Sequence, residues 1–188
     1  MISRLLYIVS AYLLLSVSAV AAPLVADLSQ YRIEMDASFS GSRIFLFGAR
    51  NDSGDIIAVI RGPQQDFIVR KKEAIGGIWV NRDRMKFFGV PNFYAIASSR
   101  PLNEIKQQNL FNKVGIGEFS LFSPPANPAA LSKFEEFSQA FLMHQYAKHL
   151  YVSKPQPLEF MGETLFKTVV EFPDNIPPGE YTAEFYLV

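Results

Sequence analysis

The sequence contains no cysteine, only two histidines and a single tryptophan among its 188 residues. The absence of cysteine excludes disulfide bonds, thiolate metal sites and a cysteine nucleophile. Lys plus Arg and Asp plus Glu both number 18, so no net charge draws the chain to nucleic acid. No G-x-S-x-G, H-E-x-x-H or P-loop motif occurs. The sequence therefore lacks the motifs that mark several large classes of enzyme.

The two histidines, His144 and His149, do not form a metal-binding pair. Their spacing would separate the side chains by about 140° on an α-helix, whereas zinc ligands on one helix take positions i and i+4. His144 falls on the apolar stripe of a predicted helix, so we expect a semi-buried, hydrogen-bonded side chain. Glu135 and Glu136 are adjacent and diverge into solvent. The sequence therefore predicts no catalytic residue, no metal site and no cofactor.

Residues 1–21 have the pattern of an export signal. Arg4 and the α-amino group are followed by an apolar segment over residues 5–17 and by Ala19-Val20-Ala21, which fits the A-x-A cleavage pattern. An uncleaved anchor is the alternative, but this apolar core is shorter than the span of about 20 residues that a membrane helix needs. No other stretch approaches that length. We therefore predict cleavage after Ala21 and a periplasmic chain of residues 22–188.

The mature chain has enough apolar and aromatic residues for a single β-rich domain. Apolar residues make up 49% of the sequence, with 17 Phe and 8 Tyr, and aromatic residues favour strands. Candidate strands recur about every ten residues with turn signals between them, a spacing typical of β-sandwiches. The predicted fold is mainly β, an immunoglobulin-like β-sandwich with one inserted amphipathic helix near residues 128–151.

Several strand predictions depend on local pattern. Residues 31–36 alternate, and the apolar run 43–49 is typical of a strand buried on both faces. The turn cluster 51–55 predicts that residues 43–61 form a hairpin. Short strands are predicted at 67–69, 78–80, 84–88 and 93–97, with Gly76-Gly77 as a chain break.

The helical insertion is predicted over residues 127–151. Asn127 followed by Pro128 resembles an N-cap with proline at the first helical position. Apolar residues then recur at spacings of three or four, as on one face of a helix. These stripe residues are Leu131, Phe134, Phe137, Phe141 and His144.

Two features are candidates for binding. Arg70, Lys71 and Lys72 could contact an acidic partner or a phosphate, although such a triplet is more often an exposed strand end. Trp79 could be an exposed binding aromatic, but core packing is the default interpretation for the sole tryptophan.

Charge is unevenly distributed along the neutral chain. Residues 43–86 contain nine basic and five acidic residues, a net of +4, and residues 159–188 contain one basic and six acidic residues, a net of −5. Two complementary surfaces, a basic face toward anionic lipid headgroups and ordinary solvated strand faces are all consistent with this pattern.

Six stretches resemble the putative transmembrane protein family of alphaproteobacteria, an uncharacterised family. They are PLVADLS (23–29), FSGSRIFLFGA (39–49), VIRGP (59–63), IVRKKEAIGGIWVN (68–81), GVPNFYAIASSRPL (89–102) and PDNIPPGEYTAEFYLV (173–188). The resemblance implies a signal peptide, a periplasmic β-rich region and a C-terminal membrane helix with a short basic cytoplasmic end. It also implies an association with sulfite-exporter-like permeases, and it supplies no catalytic residues.

This chain departs from that pattern because it ends at Val188, inside an apolar strand and before the membrane helix that the resemblance implies. Either the chain is a fragment or this member has lost its anchor, and the abrupt end of the strand favours truncation.

The sequence is compatible with three functions. The first is a non-catalytic accessory or binding module for an inner-membrane partner, for which the resemblance suggests an anion-exporter-type permease. The second is a structural or self-assembling envelope domain that associates through sheet edges. The third is an envelope enzyme, which a pocket collecting His144, an acidic residue and a hydroxyl would indicate. No nucleic-acid partner is expected.

Overall fold

The computed structural model describes residues 22–188, so the predicted export signal at 1–21 lies outside the described residues. Within them the chain forms ten strands and two α-helices. The strands are β1 (Leu24–Leu28), β2 (Ser42–Arg50), β3 (Ile56–Arg61), β4 (Gln64–Ile75), β5 (Ile78–Pro91), β6 (Tyr94–Ser98), β7 (Gln156–Pro157), β8 (Glu159–Met161), β9 (Leu165–Phe172) and β10 (Thr182–Leu187). The helices are α1 (Gln108–Val114) and α2 (Leu131–Ala147). The predicted mainly β class is confirmed.

Eight of the strands form two four-stranded sheets. The first sheet has the order β1-β2-β9-β8 and the second has the order β10-β3-β6-β7, while β4 and β5 pair only with each other. The sheets pack on each other through aromatic side chains, with Phe166 and Phe185 centroids 6.1 Å apart and Phe93 and Phe172 centroids 5.0 Å apart. The immunoglobulin-like detail is not confirmed, because β6 and β7 pair in parallel.

The second sheet is the middle layer of the domain. Every residue of β6 and the first five residues of β3 are buried, because the first sheet covers one face and α2 and its neighbouring loops cover the other. The prediction that residues 43–49 are buried on both faces is therefore wrong. This segment is β2 in the outer sheet, and Phe45 and Phe47 are 51% and 42% exposed on its uncovered side.

The predicted hairpin over residues 43–61 is also wrong, because β2 and β3 belong to different sheets. Asp55, at the end of the turn, bonds to residues just beyond the strand ends of the second sheet, so the chain passes from the first sheet to the second. Its backbone N–H donates to Val188 O at 2.7 Å, and its carboxylate accepts from Ser99 Oγ at 2.9 Å and Arg100 Nε at 2.8 Å. The hydrogen bond from Arg100 lowers the pKa of Asp55. These contacts tie the end of the turn to the second sheet.

The predicted helix forms, but it ends before Tyr151. Asn127 Oδ1 accepts the Ala129 N–H at 3.0 Å and caps a short 3₁₀ turn that leads into α2. The helix ends at Ala147 because His149 adopts a left-handed conformation, with φ of 56°. Its N–H donates to Tyr146 O at 2.9 Å, as in a Schellman motif.

Two further expectations are corrected. His144 is exposed rather than semi-buried, because the helix packs through a stripe that includes Phe137, Phe141 and Leu142. Residues 31–36 form no strand, since Asp36 accepts hydrogen bonds from the N–H and hydroxyl of Ser38 at 2.8 and 2.7 Å and makes a side-chain-capped turn there.

Candidate functional site, a projecting hairpin

Strands β4 and β5 form one long two-stranded hairpin, which we call the arm (residues 64–91). Its turn is Gly76-Gly77, with φ of 59° and 84°, and Ile75 pairs directly with Ile78 across it. Two successive residues with left-handed backbone conformation form a type I′ turn, whose twist matches that of the flanking strands. Glycine adopts this conformation without steric cost. The structure thus joins the short strands predicted at 67–69, 78–80 and 84–88 into a single element.

The base of the arm packs against α2. The ring of Phe141 on α2 lies 4.9 Å from that of Phe67 on β4 and 5.8 Å from that of Phe87 on β5. Higher on the arm, Lys71 Nζ lies 2.6 Å from Glu136 Oε1. The inner face of the arm is therefore anchored by aromatic packing near its base and by an ion pair near its middle.

The outer face of the arm carries unpaired basic side chains. Strand alternation places Arg70 and Lys72 on the side opposite Lys71, and Arg70 faces Arg84 directly across the hairpin. Arg70, Lys72 and Arg84 are exposed and form no ion pair with any residue of 22–188. Like charges that face each other across strands are destabilising. This cross-strand arginine pair is therefore a feature that an anionic partner would stabilise.

The predicted basic triplet is thus divided between two faces. Arg70 and Lys72 point away from the domain, whereas Lys71 is held by Glu136. The glutamate raises the pKa of Lys71 through a hydrogen bond. Sequence reasoning missed Arg84, because only the register of the hairpin places it beside Arg70.

The tip of the arm is apolar and exposed. Ile75, Ile78, Trp79 and Val80 are 56%, 69%, 71% and 38% exposed. The core-packing interpretation of Trp79 is therefore wrong, and the sole tryptophan lies at the end of the arm. Trp79 pairs with Ala74 on the outer face, while Ile75, Ile78 and Val80 lie on the other face. The tip is apolar on both sides of the ribbon.

A cleft of about 900 Å³ lies between the C-terminal end of α2 and the first sheet. It contains His149, Glu171, Asp174 and the hydroxyl of Ser42, but His144 does not line it. Among the described residues no hydrogen bond joins His149 to an acid or a hydroxyl, and Glu171 pairs with Arg43 at 3.7 Å. The cleft therefore lacks the base-to-nucleophile contact of an activated catalytic site.

The buried phenol of Tyr94, on β6 of the second sheet, makes hydrogen bonds to a neighbouring loop. Tyr94 accepts the Gly117 N–H at 3.0 Å and donates to Gly115 O at 3.3 Å. Burial raises the pKa of Tyr94 to about 12, so the phenol is neutral at physiological pH. In residues 22–188 no three His, Asp or Glu side chains cluster as a metal site would require.

These features define a two-sheet β domain with one long helix and a projecting hairpin that is basic on one face and apolar at its tip. The chain belongs to the family described as "Putative transmembrane protein (Alph_Pro_TM)", whose match covers residues 23–188. The match includes both sheets, both helices and the arm, and it confirms the family resemblance. No curated protein and no solved structure matches the chain. None of the helices described within residues 22–188 is both long and apolar enough to span a bilayer.

Proposed function

We propose that this chain is a periplasmic, non-catalytic accessory module that uses the arm to bind an inner-membrane partner. An anion-exporter-type permease is the candidate partner. The observation that carries the proposal is the outer face of the arm, where Arg70 and Arg84 face each other without a carboxylate from the described residues. Membership of a family described as "Putative transmembrane protein" supports a membrane setting for this contact.

The positive charge of the arm favours contact with an acidic surface over exposure to solvent. The arm has six basic and three acidic residues, a net of +3. Arginine guanidinium groups bind carboxylates through two parallel hydrogen bonds, so an acidic surface would relieve the repulsion between Arg70 and Arg84. Complementary charge of this kind increases association rates and sets specificity.

The chemistry of the cleft supports the non-catalytic part of the proposal. His149 has no hydrogen bond to Glu171, Asp174 or Ser42, and a nucleophile needs such a base within hydrogen-bond reach.

Charge reversal on the outer face tests the proposal. We expect the double variant Arg70→Glu, Arg84→Glu to lose capture of its partner by about tenfold or more, because attraction to an acidic surface becomes repulsion. A photo-crosslinker at the exposed, outer-face position Ile68 captures the partner in native membranes, and mass spectrometry identifies it.

The matched control is Arg32→Glu, Lys106→Glu, which makes the same change of charge at exposed residues outside the arm. We expect this control to capture the same protein as the unmodified chain. Equal capture by the arm variant and the control, with both proteins folded by circular dichroism, would rule out the basic face as the contact.

A second candidate function is self-assembly through the outer face of the first sheet. Exposed apolar side chains cluster there on three adjacent strands, with Val25, Phe45, Phe47 and Leu165 between 42% and 60% exposed. Exposed apolar patches of this kind often mark protein interfaces.

Under this alternative the protein sediments as a dimer or larger species as its concentration rises. The variant Phe45→Thr, Phe47→Thr stays monomeric, because threonine suits a strand but removes the apolar rings. Analytical ultracentrifugation over a wide concentration range distinguishes the two cases. A monomer at every concentration would exclude self-assembly by this face.

A further inference from the structure

We propose that the tip of the arm inserts into the headgroup layer of an anionic lipid bilayer, with Trp79 at the boundary between headgroups and acyl chains. This inference rests on the proposed function in taking the arm as the binding element. The apolar tip of the arm contacts lipid, in addition to the contact that the arm makes with its partner.

The distribution of apolar side chains at the tip favours lipid over a protein pocket. Trp79 lies on one face of the ribbon, and Ile75, Ile78 and Val80 lie on the other. A flat protein surface would cover one of these faces and leave the other in water. A lipid phase surrounds the tip and removes both faces from water at once, which is favourable for apolar surface.

The shape of the tip suits entry between headgroups. The hairpin closes through the two-residue turn Gly76-Gly77, so its end is only two strands wide and carries no side chain at the turn itself. Backbone hydrogen bonds continue to Ile75 and Ile78, next to the turn. The strands therefore satisfy each other's inward-facing polar groups. The outward-facing groups of the two open edges need hydration, which the headgroup layer provides and the hydrocarbon core does not.

The basic residues lie at the height where lipid phosphates would be. Lys72 is three residues from Ile75, which places it about 10 Å behind the tip, and Arg70 lies about 17 Å behind it at roughly 3.4 Å per residue. The headgroup layer is about 5–8 Å thick on each side of the hydrocarbon core. Long lysine and arginine side chains extend several ångströms further along an apolar surface. With Trp79 at the acyl boundary, Lys72 reaches the phosphates directly, and Arg70 and Arg84 lie at their outer edge.

Tryptophan is the residue most suited to this boundary, since its ring is apolar and its N–H remains able to hydrogen-bond to the wet side. Each basic residue near an anionic surface strengthens attachment about fivefold. The combination of an interfacial aromatic, flanking isoleucines and basic residues one layer behind them is what an anionic bilayer would recognise.

The fluorescence of Trp79 tests the inference, because it is the sole tryptophan in the chain. The exported protein, processed as the cell leaves it, is mixed with vesicles of phosphatidylglycerol and phosphatidylethanolamine or with neutral phosphatidylcholine vesicles. We expect a blue shift of the emission with the anionic vesicles only, and quenching when the acyl chains carry bromine. Attachment of another segment to the vesicles would leave a water-exposed indole unshifted.

Two variants that keep the reporter complete the design. Ile75→Ser, Ile78→Ser removes apolar surface at the tip, and we expect it to weaken vesicle partitioning about tenfold, so that the same shift requires about tenfold more lipid. The matched control Phe88→Ser changes an apolar residue that is 71% exposed at the opposite end of β5. We expect its shift to equal that of the unmodified chain.

The outcomes separate this inference from the proposed function. Unchanged emission with every vesicle overturns lipid insertion, while capture of a membrane protein through Ile68 would still support the accessory module. A shift that appears only when a captured protein is reconstituted with the vesicles also overturns it. A shift of equal size with neutral vesicles overturns the requirement for anionic lipid.

Discussion

Replacement of Phe141 by alanine is expected to lower the free energy of unfolding by about 3–5 kcal/mol, the range for large aromatic residues in well-packed cores. Phe141 is 4% exposed. Its ring lies 4.9 Å from that of Phe67, 5.6 Å from that of Phe122 and 5.8 Å from that of Tyr151. Deleting it leaves a cavity where the arm, α2 and the second sheet meet. Urea denaturation followed by circular dichroism measures the loss.

The control for this substitution is Met143→Ala on the same helix. Met143 is 70% exposed, so its truncation is expected to change stability by no more than about 0.5 kcal/mol. A loss below about 1 kcal/mol for Phe141→Ala would mean that the aromatic cluster is loosely packed and does not anchor the arm.

Truncation of Arg61 to alanine is the second change with a large expected effect, about 2–4 kcal/mol. The side chain is 19% exposed and forms an ion pair with Glu184 on β10. Its Nη2 also donates to Val114 O and Gly115 O, both at 2.9 Å. Removing the guanidinium leaves Val114 O without its side-chain donor. Gly115 O then keeps only the Tyr94 hydroxyl and the Glu184 carboxylate only the Tyr186 hydroxyl as side-chain donors. Thermal and urea denaturation of the variant measure the effect.

Arg61→Lys shows whether charge or geometry accounts for that loss. Lysine keeps the positive charge but lacks the fork of N–H donors, so we expect it to recover less than half of the stability. Arg43→Ala is the surface control, because Arg43 and Glu171 are 72% and 77% exposed and exposed pairs contribute little. Full recovery by lysine would show that the two carbonyl contacts add nothing.

Local pattern predicted the helix and several of the strands, because these follow from the spacing of apolar residues, but the strand predicted over residues 31–36 does not form. Asn127 and Pro128 marked the start of the helical segment correctly. Its end was misplaced, since a left-handed histidine at position 149 is rarer than glycine there. The shift of the buried stripe away from His144 reflects the position of the neighbouring layers, which spacing along one helix does not contain.

Pairing between strands was predicted less well, because it depends on contacts that are distant in sequence. The turn over residues 51–55 has the composition of a hairpin, yet Asp55 bonds to Arg100 and Val188 and leads the chain into the other sheet. The same limit applies to β2, whose apolar run faces water on one side because it lies in an outer layer.

The arm could have been recognised from the sequence. Gly76-Gly77 between isoleucines is a two-residue hairpin signal, but it was interpreted as a chain break. Once the turn is recognised, counting outward from it pairs Ala74 with Trp79. A bulge between Lys72 and Lys71 shifts the pairing register by one residue. Only the structure shows this bulge, which places Arg70 opposite Arg84. The sequence thus pointed to the correct segment of the chain, but it did not show which of its residues share one face of the arm.

The strand order has a consequence for the timing of folding. β2 pairs with β9 and β3 pairs with β10, so both sheets depend on strands that the ribosome makes long after β2 and β3. Such non-local pairing folds slowly, and until β9 and β10 arrive the edges of β2 and β3 are open to misassociation. A chain that folds late stays unfolded long enough to be translocated, which suits the export proposed for it.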